Sequence, residues 1–150
     1  MSSRRISIYV SLVSTLLILG YYLLNLIPMI RQGDLNSEAV FRLAAVVIIA
    51  TIVLNIAGNI LTMIVIQIIH AIQTRSDKEL RMIQDERDTL IGLKGARVAY
   101  FAFSVGVLVA MLTFVFGQPA LLMFSLIVFF SLLAEICGDL AQLHFYSRGG

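Results

Sequence analysis

Four long apolar stretches constrain this chain more than any other feature. Residues 6–30 contain no Asp, Glu, Lys or Arg, and the run exceeds the about 20 residues a helix needs to cross about 30 Å of hydrocarbon. Residues 43–70 and 98–117 form two more such runs, and residues 120–146 form a fourth, broken only by Glu135 and Asp139. A bilayer offers no water to unpaired backbone groups, so runs of this length must be helices. With 59% hydrophobic and 13% charged residues over 150 positions, the apolar surface is too great for a water-soluble core of this size. The expected fold is an all-α polytopic membrane protein with four transmembrane helices. One cysteine, Cys137, leaves no intramolecular disulfide, and a net charge of +2 gives no reason to expect nucleic acid.

Arg4 and Arg5 precede the first run as they would a cleaved signal. Its apolar stretch, however, is about twice the usual signal core of about 7 to 15 residues, and no small-x-small site follows. The run reads as a retained anchor. Arg4, Arg5, Arg75, Lys78, Arg81, Arg87, Lys94, Arg97 and Arg148 flank one side of the spans, against Arg31 and Arg42 on the other. This bias predicts that both termini are cytoplasmic. Gly117-Gln118-Pro119 is a turn short enough to demand an antiparallel hairpin. In the longer loop over residues 31–42, Asn36 or Ser37 is the natural cap of the second helix, with Glu38 well placed against its dipole.

The two halves resemble each other. Residues 5–14 (RISIYVSLVS) align with 97–106 (RVAYFAFSVG), and residues 55–60 (NIAGNI) with 135–140 (EICGDL). This predicts two parallel-repeat hairpins, each giving the same helix face to the centre. Asn55, Asn59 and Thr62 stand at i, i+4 and i+7 on one stripe, and Glu135, Asp139 and Gln142 repeat that spacing on the fourth span. Ala134 with Gly138, and Ala57 with Gly58, would let the backbones of spans two and four approach closely.

An acidic residue within a span costs about 2.5 to 3.5 kcal/mol on insertion scales, so it calls for a partner or a function. Three roles are open for the Glu135 and Asp139 stripe. Glu135 could bond Asn55 or Asn59 while Asp139 pairs with Arg97, Arg5 or Lys94, gluing the bundle together. The carboxylates and amide oxygens could instead bind a cation or proton on a permeation path. Or the stripe could face a helix of another protein or a second copy. Without a cationic neighbour, Glu135 is expected to act as a hydrogen-bond donor.

His70 and His144 fall at different depths and on different faces, so they read as interfacial residues and not as haem ligands. Cys137 beside Gly138 reads as a small packing residue. No nucleophile, metal or cofactor motif is present, and neither catalysis nor a bound cofactor or metal is expected.

Between the second and third runs, Ser76-Asp-Lys-Glu79 has the form of a capping box, and Leu80, Ile83, Leu90 and Ile91 mark one side of a helix with charges on the other. The expected organisation is a first hairpin over residues 1–74, a cytoplasmic amphipathic connector helix over 75–94, and a second hairpin over 95–150. Gly92 and Gly95 would mark the change of direction. Arg81, Asp85, Glu86, Arg87 and Asp88 would form the partner-docking surface of the connector.

Asp85-Glu-Arg-Asp88, followed by Ile91, Lys94, Arg97 and Ala99-Tyr100, resembles the signature of small bacterial four-helix membrane proteins of unknown function. The ending, Ala134-Glu135, Gln142-Leu143, Tyr146 and Arg148-Gly149, is similar to theirs. The likeness covers roughly residues 79–149. Members often carry two basic residues before the final glycine, where this chain has Ser147-Arg148. The resemblance implies a multi-pass protein of the bacterial inner membrane and no particular activity.

Two functions are therefore expected to compete. The first is a non-enzymatic accessory, scaffold or regulatory protein that binds a membrane or cytoplasmic partner, or itself, through spans two and four or the connector. The second is a small cation- or proton-coupled transporter or channel using Glu135 and Asp139.

Overall fold

The computed structural model describes residues 3–33, 35–72 and 78–147, with only the backbone at residues 3, 4, 59, 62, 65, 66, 69–72 and 78–85. It is all-helical: α1 (Ser3–Arg31), α2 (Ser37–Ile72), α3 (Lys78–Val115) and α4 (Ala120–Ser147). Each helix carries a segment long and apolar enough to cross a membrane: Arg5–Arg31, Ser37–Gly58, Glu86–Val115 and Ala120–Ser147. No more than 28% of any of these windows is buried within the bundle. Leu17, Leu24, Tyr100, Phe101 and Phe116 stand well exposed, as side chains that face lipid must. This is a multi-pass membrane protein.

The helix ends follow from local chemistry. Gly33, at φ 70°, closes α1 with its N–H on the Ile30 carbonyl, a left-handed stop that glycine adopts without Cβ strain. The Asn36 Oδ1 then accepts the Glu38 N–H at 3.1 Å, so Asn36 is the cap of α2. At the same end of the bundle, Gly117, at φ 84°, turns α3 into α4, and the Pro119 carbonyl accepts the Leu122 N–H.

The main core lies toward these turns. Ile18, Tyr22 and Leu26 of α1, Leu43, Ala44 and Val47 of α2, and Val128 and Leu132 of α4 form one buried cluster. The Tyr22 hydroxyl donates to the Ser125 carbonyl at 2.8 Å, which satisfies the one polar group that this burial would otherwise orphan.

Helix α3 joins the bundle differently. It packs along α4, and among the described residues its contact with the first hairpin is slight. The interface is built on absent side chains. A Cβ at Gly138 would stand 2.9 Å from the Ala99 Cβ and 3.3 Å from the Gly95 carbonyl, and a Cβ at Gly106 would collide with Phe130. Gly138 was expected to face α2, but it faces α3. In lipid, where helices gain no hydrophobic energy by associating, such close backbone approach is what holds them.

The two hairpins are not equivalent. Helix α1 packs on α4, yet among the described residues α3 makes no comparable contact with α2. Among the described residues the two hairpins therefore pack differently. The expected change of direction at Gly92 and Gly95 is also absent, because α3 is a single helix of 38 residues. At about 1.5 Å per residue it is about 57 Å long. Gly95 is buried instead, and a Cβ there would collide with the Gln142 side chain. The capping residues Ser76 and Asp77 lie outside the described residues.

Opposite the turns, α1, α3 and α4 meet in a clasp. Ile8, Ile91 and Tyr146 form a small buried cluster. The Tyr146 hydroxyl donates to Asp88 Oδ1 at 2.6 Å, and Arg5 Nη2 donates to the Tyr146 carbonyl at 2.7 Å with its guanidinium 5.4 Å from the ring centroid. Asp88, Ile91 and Tyr146 thus meet at one point. Tyr146→Phe keeps the packing and deletes the hydroxyl, so a stability loss of about 1 kcal/mol is expected in thermal unfolding. An unchanged midpoint would mean that the bond carries nothing.

Candidate functional site

The sequence stripes meet in part. Asn55 Nδ2 donates to Glu135 Oε1 at 2.8 Å, joining α2 to α4. Glu135 Oε1 is the acceptor in this bond, and a protonated carboxyl would keep its other oxygen as a donor. The side chains of Asn59 and Thr62 lie outside the described residues. Glutamine at 135 retains a carbonyl acceptor, so Glu135→Gln is expected to stay folded and within about 1 kcal/mol of the parent. Unfolding of that variant would show that the seam needs the carboxylate charge.

Asp139, one turn further along α4, behaves otherwise. It was expected to pair with Arg5, Lys94 or Arg97, and it pairs with none of them. Arg5 goes to Tyr146, the Lys94 ammonium lies 5.4 Å from the Phe145 ring centroid, and Arg97 is exposed. Asp139 is only 8% exposed, and its Oδ2 is buried with no hydrogen-bond partner among the described residues. The Ser11 side chain is its hydrogen-bonding neighbour, and Glu135 is its nearby like charge. The reason for the mismatch is that Arg5 and Lys94 are engaged by Tyr146 and Phe145, while the Arg97 side chain stands exposed.

What Asp139 faces is a polar cavity of about 190 Å³. Helix α1 lines it with Ser7, Ser11 and Ser14, α2 with Asn55 and Gly58, and α4 with Asp139 and Gln142. The site is therefore a three-helix chamber and not a seam between α2 and α4 alone. Its serines stand at i, i+4 and i+7, the same single-face spacing that marks the polar residues of α2 and α4. That spacing is the signal by which the sequence could have revealed them. Glu135 lines a neighbouring groove, of about 200 Å³, with Thr51, Ser131 and apolar side chains of α2 and α4.

The chamber's chemistry is that of acceptors. The Ser14 hydroxyl donates to the Val10 carbonyl at 2.6 Å, leaving its lone pairs to the cavity. The amide N–H of Asn55 is engaged by Glu135, which leaves the Asn55 carbonyl oxygen free of that bond. Together with the Asp139 carboxyl, these groups suit a positively charged guest.

Of the expected docking residues, Glu86 and Arg87 are exposed at the foot of α3, whereas Asp88 is half-buried and held by Tyr146. Asp88 is thus part of the internal clasp and not of a free surface. The side chains of Arg81 and Asp85 lie outside the described residues.

Comparison with protein-family models, with curated proteins and with solved structures returns no match.

Proposed function

We propose that the protein carries a small cation or a proton across the membrane, as a transporter or channel, through a site centred on Asp139 with Glu135 beside it. The single observation behind this reading is the buried Asp139 oxygen left without a partner in the wall of a polar chamber. A structural strut needs a partner, and removing a carboxyl from water without one is costly. A carboxyl beside the Ser11 hydroxyl, with its second oxygen buried and unengaged among the described residues, is instead suited to taking up and releasing positive charge.

Purified protein in liposomes should dissipate or use an imposed ion gradient, and both Asp139→Asn and Glu135→Ala should be inactive. Flux equal to that of empty vesicles would remove the proposal. In this reading the chain lies in a bacterial inner membrane with both termini in the cytoplasm, supported by the excess of Lys and Arg on that side. The likeness of residues 55–60 to 135–140 supports a parallel duplication whose hairpins have since diverged in packing.

A second reading, the accessory protein that binds a partner, draws on the length of α3. Asp88 meets Tyr146 one residue before the end of α4, so the helix from Lys78 to Arg87 runs beyond the described part of α4. On the cytoplasmic side that segment, with Glu86 and Arg87 exposed, would serve as the connector helix on which a partner docks. A companion that co-purifies in mild detergent and is lost on Glu86→Lys with Arg87→Glu would support it. A homogeneous particle from the native host would count against it.

A further inference from the structure

We infer that the chamber between α1, α2 and α4 is a binding site for one alkali-metal cation of the sodium class, a step that rests on reading Asp139 as an ion-binding group. Two independent observations point to a ligand: Asp139 is more than nine-tenths buried with an unpartnered carboxylate oxygen, and it lines a cavity of about 190 Å³ whose other polar walls come from three helices.

The donor atoms decide the class. Hydroxyl, amide and carboxylate oxygens are hard ligands, suited to alkali and alkaline-earth cations more than to the metals that favour imidazole or thiolate. Among the described residues, neither a histidine nor Cys137, the only thiol in the chain, lines the chamber. Among the described residues no three His, Cys, Asp or Glu side chains come together. An anion is disfavoured by the Asp139 carboxyl in the wall, and the Ser14 hydroxyl and one Asn55 amide N–H already donate elsewhere.

Charge then separates one from two. Among the described residues only one carboxylate, Asp139, lines the chamber; Glu135 is bonded to Asn55 and lines the adjoining groove. A single negative charge balances a monovalent cation, whereas calcium-type sites gather several carboxylates. The volume leaves room for the ion with part of its water. Ser7, Ser11 and Ser14, on one face of α1, line the chamber with neutral oxygens at successive positions along the helix axis, so the ion keeps ligands as it moves along that axis.

The test is thermal unfolding of the full chain in detergent, in sodium chloride against choline chloride at equal ionic strength. A ligand that binds only the folded state raises the midpoint with its concentration. Sodium should raise it saturably, Asp139→Asn should abolish the response, and Ser11→Ala with Ser14→Ala should weaken the apparent affinity about tenfold or more. Ser131→Ala, in the neighbouring groove, should leave the sodium response as in the parent. The inference is overturned if sodium and choline give the same midpoint, if calcium or magnesium stabilises where sodium does not, or if Asp139→Asn still responds. Proton flux in liposomes without a sodium response would overturn the alkali-cation site while the transport reading stands. Loss of both flux and response would remove both.

Discussion

Replacing Asp139 by asparagine is expected to give a folded protein that is more stable than its parent in a sodium-free medium and that carries no flux. The two side chains have the same shape, so the packing of α4 against α1 is kept. One oxygen of the carboxyl, however, is buried with no partner among the described residues. Leaving such a group unsatisfied costs about 1–3 kcal/mol, more when it is charged. Asparagine removes the charge and brings N–H donors to a chamber already rich in acceptors, among them the Ser14 hydroxyl oxygen. Relief of about 1–3 kcal/mol corresponds to a rise of several degrees in midpoint. Thermal unfolding and liposome flux on the same preparation check the pair of effects. A less stable variant that still moves ions would mean that Asp139 is structural.

Gly106→Leu is expected to have the largest effect on the bundle itself. A Cβ at this position collides with the Cβ and Cγ of Phe130, and its distance to Phe130 Cδ1 is 2.7 Å. The ring can rotate, but the Phe130 Cβ is fixed to the backbone of α4. Helices α3 and α4 must therefore move apart along their shared face. Overpacking of this kind costs about 1–3 kcal/mol, and a full leucine belongs at the upper end. Moving the glycine across the interface provides the control: Phe130→Gly in the Gly106→Ala background should recover most of what Gly106→Ala loses. The coupling between the two sites should lie within about 0.5–3 kcal/mol. Additive losses would mean that the two positions are not in contact.

Much of the architecture was legible because the bilayer demands it. Runs without charge can only be helices, so the four spans could be placed by length and composition, and Asn36 and Gly117 marked ends by their local chemistry. The pairing of Asn55 with Glu135 was legible too, since a polar stripe in lipid seeks another. Three features were not. Gly95 reads as a change of direction, yet it lies inside a helix where packing gains more than the glycine costs, and Gly138, which reads as a packing glycine toward α2, packs on α3. Serines within a span carry little signal because their hydroxyls can bond their own helix, as Ser14 does, so the Ser7, Ser11 and Ser14 wall of the chamber passed unnoticed. The partner of Asp139 depended on which helices are neighbours, and periodicity along one chain does not encode the order of helices around a bundle. With α1 beside α4 and α3 on the far side, the carboxyl meets serines where arginine or lysine was expected.

The most direct measurement asks whether the chamber is wet. In a Cys137→Ala background, single cysteines at Ser11, Ser14 and the lipid-exposed Leu17, which is 70% exposed, can be treated in liposomes with a membrane-impermeant, charged thiol reagent. The account predicts rapid labelling at positions 11 and 14, slowed by sodium, and none at 17. Protection of positions 11 and 14 equal to that of 17 would contradict it, because Asp139 would then stand in a dry wall with no route for an ion to reach it.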